Sequence, residues 1–129
     1  MNQCNIKAIS TDLAPKAVGP YSQAVVSNGF IFISGQIPID PKTNTLSTDT
    51  FASQVRLVLN NISAILTEAS SSLDNVLKTT VFIKDINKFS EFNEIYAEYF
   101  KNNKPARSLV EVSNLPKGAL IEIEVIAKI

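Results

Sequence analysis

At 129 residues the chain suits one compact domain with its own core. Its twelve basic and twelve acidic residues cancel, which argues against the electrostatic footprint of a nucleic-acid binder or a polybasic membrane anchor. Apolar residues make up 45% of the chain, as in a globular protein, while the absence of histidine and the single cysteine, Cys4, exclude Ser–His and Cys–His nucleophile pairs, intrachain disulfides and zinc sites built on those ligands.

The opening MNQCNIKAIS lacks the basic segment and apolar core of a secretion signal, and no run approaches the ~20 apolar residues of a membrane span. A soluble cytoplasmic protein is expected, and the sequon Asn61-Ile62-Ser63 is then a chance match. Residues 6–9 alternate as a short strand, and residues 14–20, with Pro15, Gly19 and Pro20, read as a loop. Asn28-Gly29 between two β-prone runs, 22–27 and 30–34, predicts a tight hairpin. Residues 38–45 read as a second loop. Thr48-Asp49-Thr50 supplies capping oxygens to an amphipathic helix in which Phe51, Val55, Leu59, Ile62 and Leu66 recur every three or four residues. VLKTTVFIK (76–84) predicts a strand; Asn87 is the expected cap of a second helix carrying Phe89, Phe92, Tyr96 and Tyr99. Pro105 ends that region, 107–112 is a strand, 115–118 a turn, and LIEIEVIAKI (120–129) the clearest alternation present. The layout is α+β: one domain over residues 1–129, a mostly antiparallel sheet with two helices on one face.

In FIFIS (30–34) Phe30 and Phe32 oppose Ile31 and Ile33, and in TTVFIK (79–84) Phe82 opposes Val81 and Ile83. Two helices cover one face of such a sheet, so the other apolar face needs a cover. A second copy of the chain is the expected one, the alternative being a sheet closed into a barrel.

Few residues can carry chemistry. The two arginines are Arg56 and Arg107, the latter at the mouth of an apolar strand in KPARSLVEV (104–112). A planar fork there grips a carboxylate or phosphate through two parallel hydrogen bonds, or it forms a structural salt bridge to Glu111, Glu122 or Glu124. Glu122 and Glu124 interrupt the apolar face shared by Leu120 and Ile126, opposite the series Ile121, Ile123, Val125 and Ala127. Buried acids need partners, and pairing with lysine or arginine is the structural reading of each; activation of a water is the functional one. Tyr21 follows the fixed loop Gly19-Pro20, and Ser34-Gly35 puts a hydroxyl and a bare backbone at a strand end.

GPYSQAV (19–25), SGQIP (34–38), VFIKDINKFSEFNEIY (81–96), PARSLVEV (105–112) and LPKGALIEIEVIA (115–127) together resemble the reactive-intermediate deaminases, the RidA branch of the YjgF/UK114-like proteins, from about Thr11 to the end. The resemblance implies hydrolysis of reactive 2-imino acids, the enamine/imine products of pyridoxal-phosphate-dependent serine and threonine dehydratases, to 2-oxo acids and ammonia. It also implies a homotrimer with a fold like that of the trimeric chorismate mutases, sites in the clefts between subunits, and no metal or organic cofactor. By motif, Arg107 would hold the substrate carboxylate and Glu122 would orient or activate water. Tyr21 would line the cleft from the neighbouring subunit, Ser34 and Gly35 would lie against the ligand, and Asn93 would support the pocket. One position departs from the pattern: Leu109 stands where the family usually has cysteine, which puts redox regulation in doubt more than hydrolysis. A binding-only sensor using the same clefts and an RNA-directed, translation-inhibiting protein are the competing readings. Neutral charge and the lack of histidine weigh against RNA as a partner.

Overall fold

A computed structural model of the chain describes residues 5–129, so Cys4 lies outside the described residues. Asn28 (φ 53°) and Gly29 (φ 81°) both adopt the left-handed backbone of a tight hairpin turn. That turn fixes the register of β2 (Ala24–Ser27) on β3 (Phe30–Gln36), with Ser27 opposite Phe30 and Ala24 opposite Ile33. β1 (Lys7–Ile9) adds to the outer side of β2. β8 (Ile121–Lys128) is central, antiparallel to both β3 and β6 (Val76–Ile83). β7 (Ala106–Glu111) closes the order β1-β2-β3-β8-β6-β7 and runs parallel to β6.

Helix α1 (Phe51–Glu68) starts where the Thr50 hydroxyl accepts a hydrogen bond from the Ser53 amide. It ends in a left-handed Ser70 (φ 61°), with the Ser71 and Ser70 amides donating back to the Leu66 and Thr67 carbonyls. Val55, Val58, Leu59, Ile62, Ile65 and Leu66 are fully buried and meet Ile31, Val81, Ile83, Ile121, Ile123 and Ala127 from one face of the sheet. Each such side chain contributes about 1.5–3 kcal/mol by leaving water. Helix α2 (Phe89–Tyr99) links β6 to β7 on the same face and is tied to α1 by Arg56, whose fork donates to both Glu98 oxygens at 2.8 and 3.0 Å. The result is two helices on one face of a mostly antiparallel sheet, as expected, with a single parallel pair.

Two local expectations are corrected. Residues 38–45 are not simply a loop: β4 (Ile39–Asp40) and β5 (Thr45–Leu46) pair as a small ribbon turned by a left-handed Asn44. Asn87 does not cap α2. The Asp85 carboxylate instead accepts from the Asn87 amide and starts a short 3-10 turn, Ile86–Lys88, that runs into the helix, so Asn87 lies inside the turn and not at a cap position. Asn61 is buried in α1 and donates to the Ile39 carbonyl at 2.9 Å, so it braces the ribbon and offers no surface for a glycan.

The face away from the helices carries Phe30 and Phe32, each 43% exposed, with Ile126 beside Phe32, and further along the sheet Phe82 beside Val110. Among the described residues, strands β1 and β7 each have one neighbour, so the sheet is open and the closed-barrel alternative does not hold. No helix among the described residues is long and apolar enough to cross a membrane.

Candidate active site

Glu122 sits where β8 passes a kink in β3. Ile33 pairs with Val125 but Gln36 pairs with Ile123, so β3 carries one extra residue at Ser34-Gly35. Such a bulge bends the strand and re-aims what lies beside it. A Cβ on Gly35 would come within 2.9 Å of the Glu122 Cδ and 3.2 Å of its Cγ. The carboxyl group thus lies directly against the bare Gly35 backbone. Gly35→Ala is expected to push that carboxyl aside while leaving the strand in place. Should Glu122 act in catalysis, a misplacement of this size is expected to cost turnover about tenfold to a hundredfold, read in a steady-state assay with the melting temperature as control. Unchanged turnover would mean that the observed carboxyl position is not the working one.

Glu122 is half-buried, and neither of the two ion pairs among the described residues includes it or Glu124. The expected structural pairing of these acids is therefore not formed among the described residues. Burial, and then the charge of Glu124, push the Glu122 pKa above that of an ordinary glutamate. The group faces a cavity of about 430 Å³ that also takes in Tyr21 and Gly35, with apolar walls from Pro15, Val18 and Ile37 and with Lys16 and Lys117 in its lining. Tyr21 is half exposed and folds its ring back over Gly19. Ser34 does not line this cavity: its hydroxyl donates to the Ser22 carbonyl at 2.6 Å and braces the bulge.

The loop that forms one wall is anchored by a residue that motif reasoning passed over. Gln23 is buried; its carbonyl accepts from the Thr11 amide, and its amide group is within hydrogen-bond reach of the Thr11, Ala14 and Pro15 carbonyls. A glutamine following the Pro15, Gly19 and Pro20 loop, just before β2, was the available signal. Lys117, left-handed at φ 58°, had none.

Arg107 is elsewhere. In the parallel β6–β7 pair it lies opposite Thr79, which is buried on the helix face, whereas Glu122 lies opposite Phe82 on the open face. Its guanidinium donates to Asn93 Oδ1 at 2.8 Å and lies over the Tyr96 ring at 5.0 Å from the centroid, with Phe89 and Phe92 each at 5.8 Å. No carboxylate pairs with it among the described residues, so the salt bridge to Glu111, Glu122 or Glu124 is not formed. Arg107, Asn93 and Tyr96 line a second cavity with Phe100, Lys104 and Pro105. Leu109 lines neither cavity; opposite Val81, it packs partly buried against the core.

One chain thus holds two separate groups of the expected residues: Tyr21, Gly35 and Glu122 in one cavity, Arg107 and Asn93 in the other, with no shared lining residue. Tyr21, expected to enter the cleft from a neighbouring subunit, shares its cavity with Glu122 of its own chain and lies away from Arg107. It is Arg107 that stands apart from both.

An open sheet backed by two helices, with an acid on one face and an arginine on the other that form no ion pair among the described residues, defines a small α+β protein with two candidate half-sites. Residues 11–129 match the family model described as Endoribonuclease L-PSP. A RutC family protein of Pyrococcus horikoshii is 56% identical over 121 residues, covering 94% of this chain and 96% of that protein. The human 2-iminobutanoate/2-iminopropanoate deaminase is 49% identical over 121 residues, covering 94% and 88%. A solved structure of a Rid family protein of Yersinia pestis superposes with a TM-score of 0.95 at 53% identity, covering 97% of this chain and all of that one. The chain belongs to this L-PSP family, the YjgF/UK114/RutC/Rid group.

Proposed function

We propose that the protein hydrolyses short 2-imino acids to 2-oxo acids and ammonia, at sites completed between copies of the chain. The observation that carries this reading is Arg107. Its fork is stacked on aromatic rings and fixed by Asn93, yet lacks a carboxylate, as a receptor for a substrate carboxylate should. The naming of the human relative as a 2-iminobutanoate/2-iminopropanoate deaminase supports the same substrate class. Glu122 favours a hydrolase over a sensor that only binds, because a half-buried carboxylate with raised proton affinity is suited to take a proton from water near neutral pH.

In this mechanism Arg107 of one copy holds the carboxylate of the protonated imine, and the Glu122 cavity of the next copy closes over C2. Water adds to C2 as its proton passes to Glu122, giving a tetrahedral amino alcohol. Glu122 returns the proton to nitrogen, the C–N bond breaks as Glu122 takes up the hydroxyl proton, and that proton passes to the departing ammonia, so that the 2-oxo acid and ammonium are released. No metal or organic cofactor is required, since the protonated imine is already electrophilic and water needs placement and modest activation. The exposed Phe30, Phe32 and Val110 supply the apolar surface that a homotrimer would bury.

The test couples a serine/threonine dehydratase and threonine to this protein and follows 2-oxobutanoate. Faster oxo-acid release with the protein present is expected, together with a trimeric mass by sedimentation. No acceleration would sink the hydrolase reading, and an active monomer would sink the split site.

A further inference from the structure

Strand β6 presents Thr79, Val81 and Ile83 to the helices, and the first is out of character: a hydroxyl at a completely buried position in an apolar row. Its oxygen lies 2.8 Å from the Tyr96 hydroxyl, a buried bond that satisfies both groups. Thr79 is also the residue directly opposite Arg107 in the parallel pair, so the two side chains leave the sheet side by side on the same face. Tyr96 comes down on both from α2. Its hydroxyl meets Thr79, and its ring lies under the guanidinium at 5.0 Å, nearer than either phenylalanine. The ring itself is fixed between Phe92 and Phe100, with centroids at 5.3 and 4.6 Å.

From this geometry we infer that Tyr96, registered by the Thr79 hydroxyl, is a positioning residue that aims the Arg107 fork at the substrate carboxylate. The inference rests on the reading of Arg107 given above. A guanidinium on a four-bond stem can turn about every one of those bonds, and Asn93 restrains it at only one nitrogen. A ring held in place beneath the guanidinium supplies the second restraint, because a planar cation gains most by lying over its face. The hydroxyl pair then has a task that packing alone would not give it: it sets where along β7 the ring stands. Burial keeps the Tyr96 phenol neutral well above the physiological range, so the restraint is not lost by ionisation beside the arginine.

The test uses the intact oligomer and measures binding of 2-oxobutanoate and its carboxamide, with Arg107→Lys as reference. Tyr96→Leu is expected to weaken 2-oxobutanoate about tenfold, to leave the carboxamide nearly unchanged, and to raise KM far more than it lowers kcat. Thr79→Val should weaken 2-oxobutanoate about threefold, and Thr79→Ser, which keeps the hydroxyl, should restore it. In the Arg107→Lys background the Tyr96 and Thr79 changes should add little, because the fork they aim is gone. Additive losses there, or equal losses for acid and carboxamide, would make Tyr96 a packing residue and overturn the inference. Should Tyr96→Leu not fold, Thr79→Val and Thr79→Ser decide by the same criteria. If Arg107→Lys itself binds 2-oxobutanoate like the parent, the reading of the site fails instead, and the two failures are thereby told apart.

Discussion

Arg107→Lys is expected to keep the net charge, the fold and the assembly while losing most of the hydrolytic activity. Lysine offers a point charge where the arginine presents a fork, and it gives up both the Asn93 contact and the stack on Tyr96. A charge-assisted hydrogen bond contributes about 1.5–3 kcal/mol, which at about 1.4 kcal/mol per tenfold amounts to roughly a tenfold to hundredfold loss in kcat/KM. The loss should be similar for every 2-imino acid, since all share the carboxylate, and Arg107→Ala should be worse. Full turnover with a lowered melting temperature would make Arg107 a structural residue and remove the foundation of the proposed function.

Glu122→Gln is the second decisive replacement. The amide can still orient water but cannot accept its proton, so turnover should fall about a hundredfold or more while binding of 2-oxo acids persists. The wild-type pH profile follows from the same group. Because the working form in the proposed mechanism is the carboxylate and its pKa is raised above the usual 4.5, activity should fall as pH drops through that raised value, at a higher pH than an exposed glutamate would give. Stability runs the other way. The folded state favours the protonated acid, so the contribution of this group is present at low pH and is lost as pH rises through the raised pKa. The glutamine variant should therefore melt above the parent at neutral pH, with the difference closing in acid. A variant with parental turnover, or an acid limb at the ordinary carboxylate value, would count against Glu122 as the base.

Much of the fold was legible because local chemistry decided it. Asn28-Gly29 could make only a tight hairpin turn, Thr50 stood one residue before a three-four repeat, and the Ile121–Ala127 series alternated without a break. The ribbon Ile39–Asp40 with Thr45–Leu46 was not legible, since strands of two residues leave no period to read. Nor was the parallel direction of β7: alternation fixes the faces of a strand and says nothing about which way its neighbour runs. That gap hid the arrangement of the site. Arg107 and Glu122 were each recognisable as candidates, but their faces depend on register, and register placed Arg107 opposite Thr79 and Glu122 opposite Phe82. The motifs had named the parts of the site without saying that one chain keeps them on opposite sides of its sheet.

That separation has a consequence for how damage to the protein would be inherited. With the site completed between copies as proposed, a lesion at Arg107 and a lesion at Glu122 strike different contributions to the same pocket. A chain spoiled at either position still brings an intact version of the other to its neighbours. Co-expressed in one cell, two individually crippled alleles would assemble some pockets in which both donors are sound, alongside others in which neither is. Alleles that both lack Arg107 could never do so. The gene would thus behave as two complementation groups within a single reading frame, divided by which face of the sheet each residue occupies.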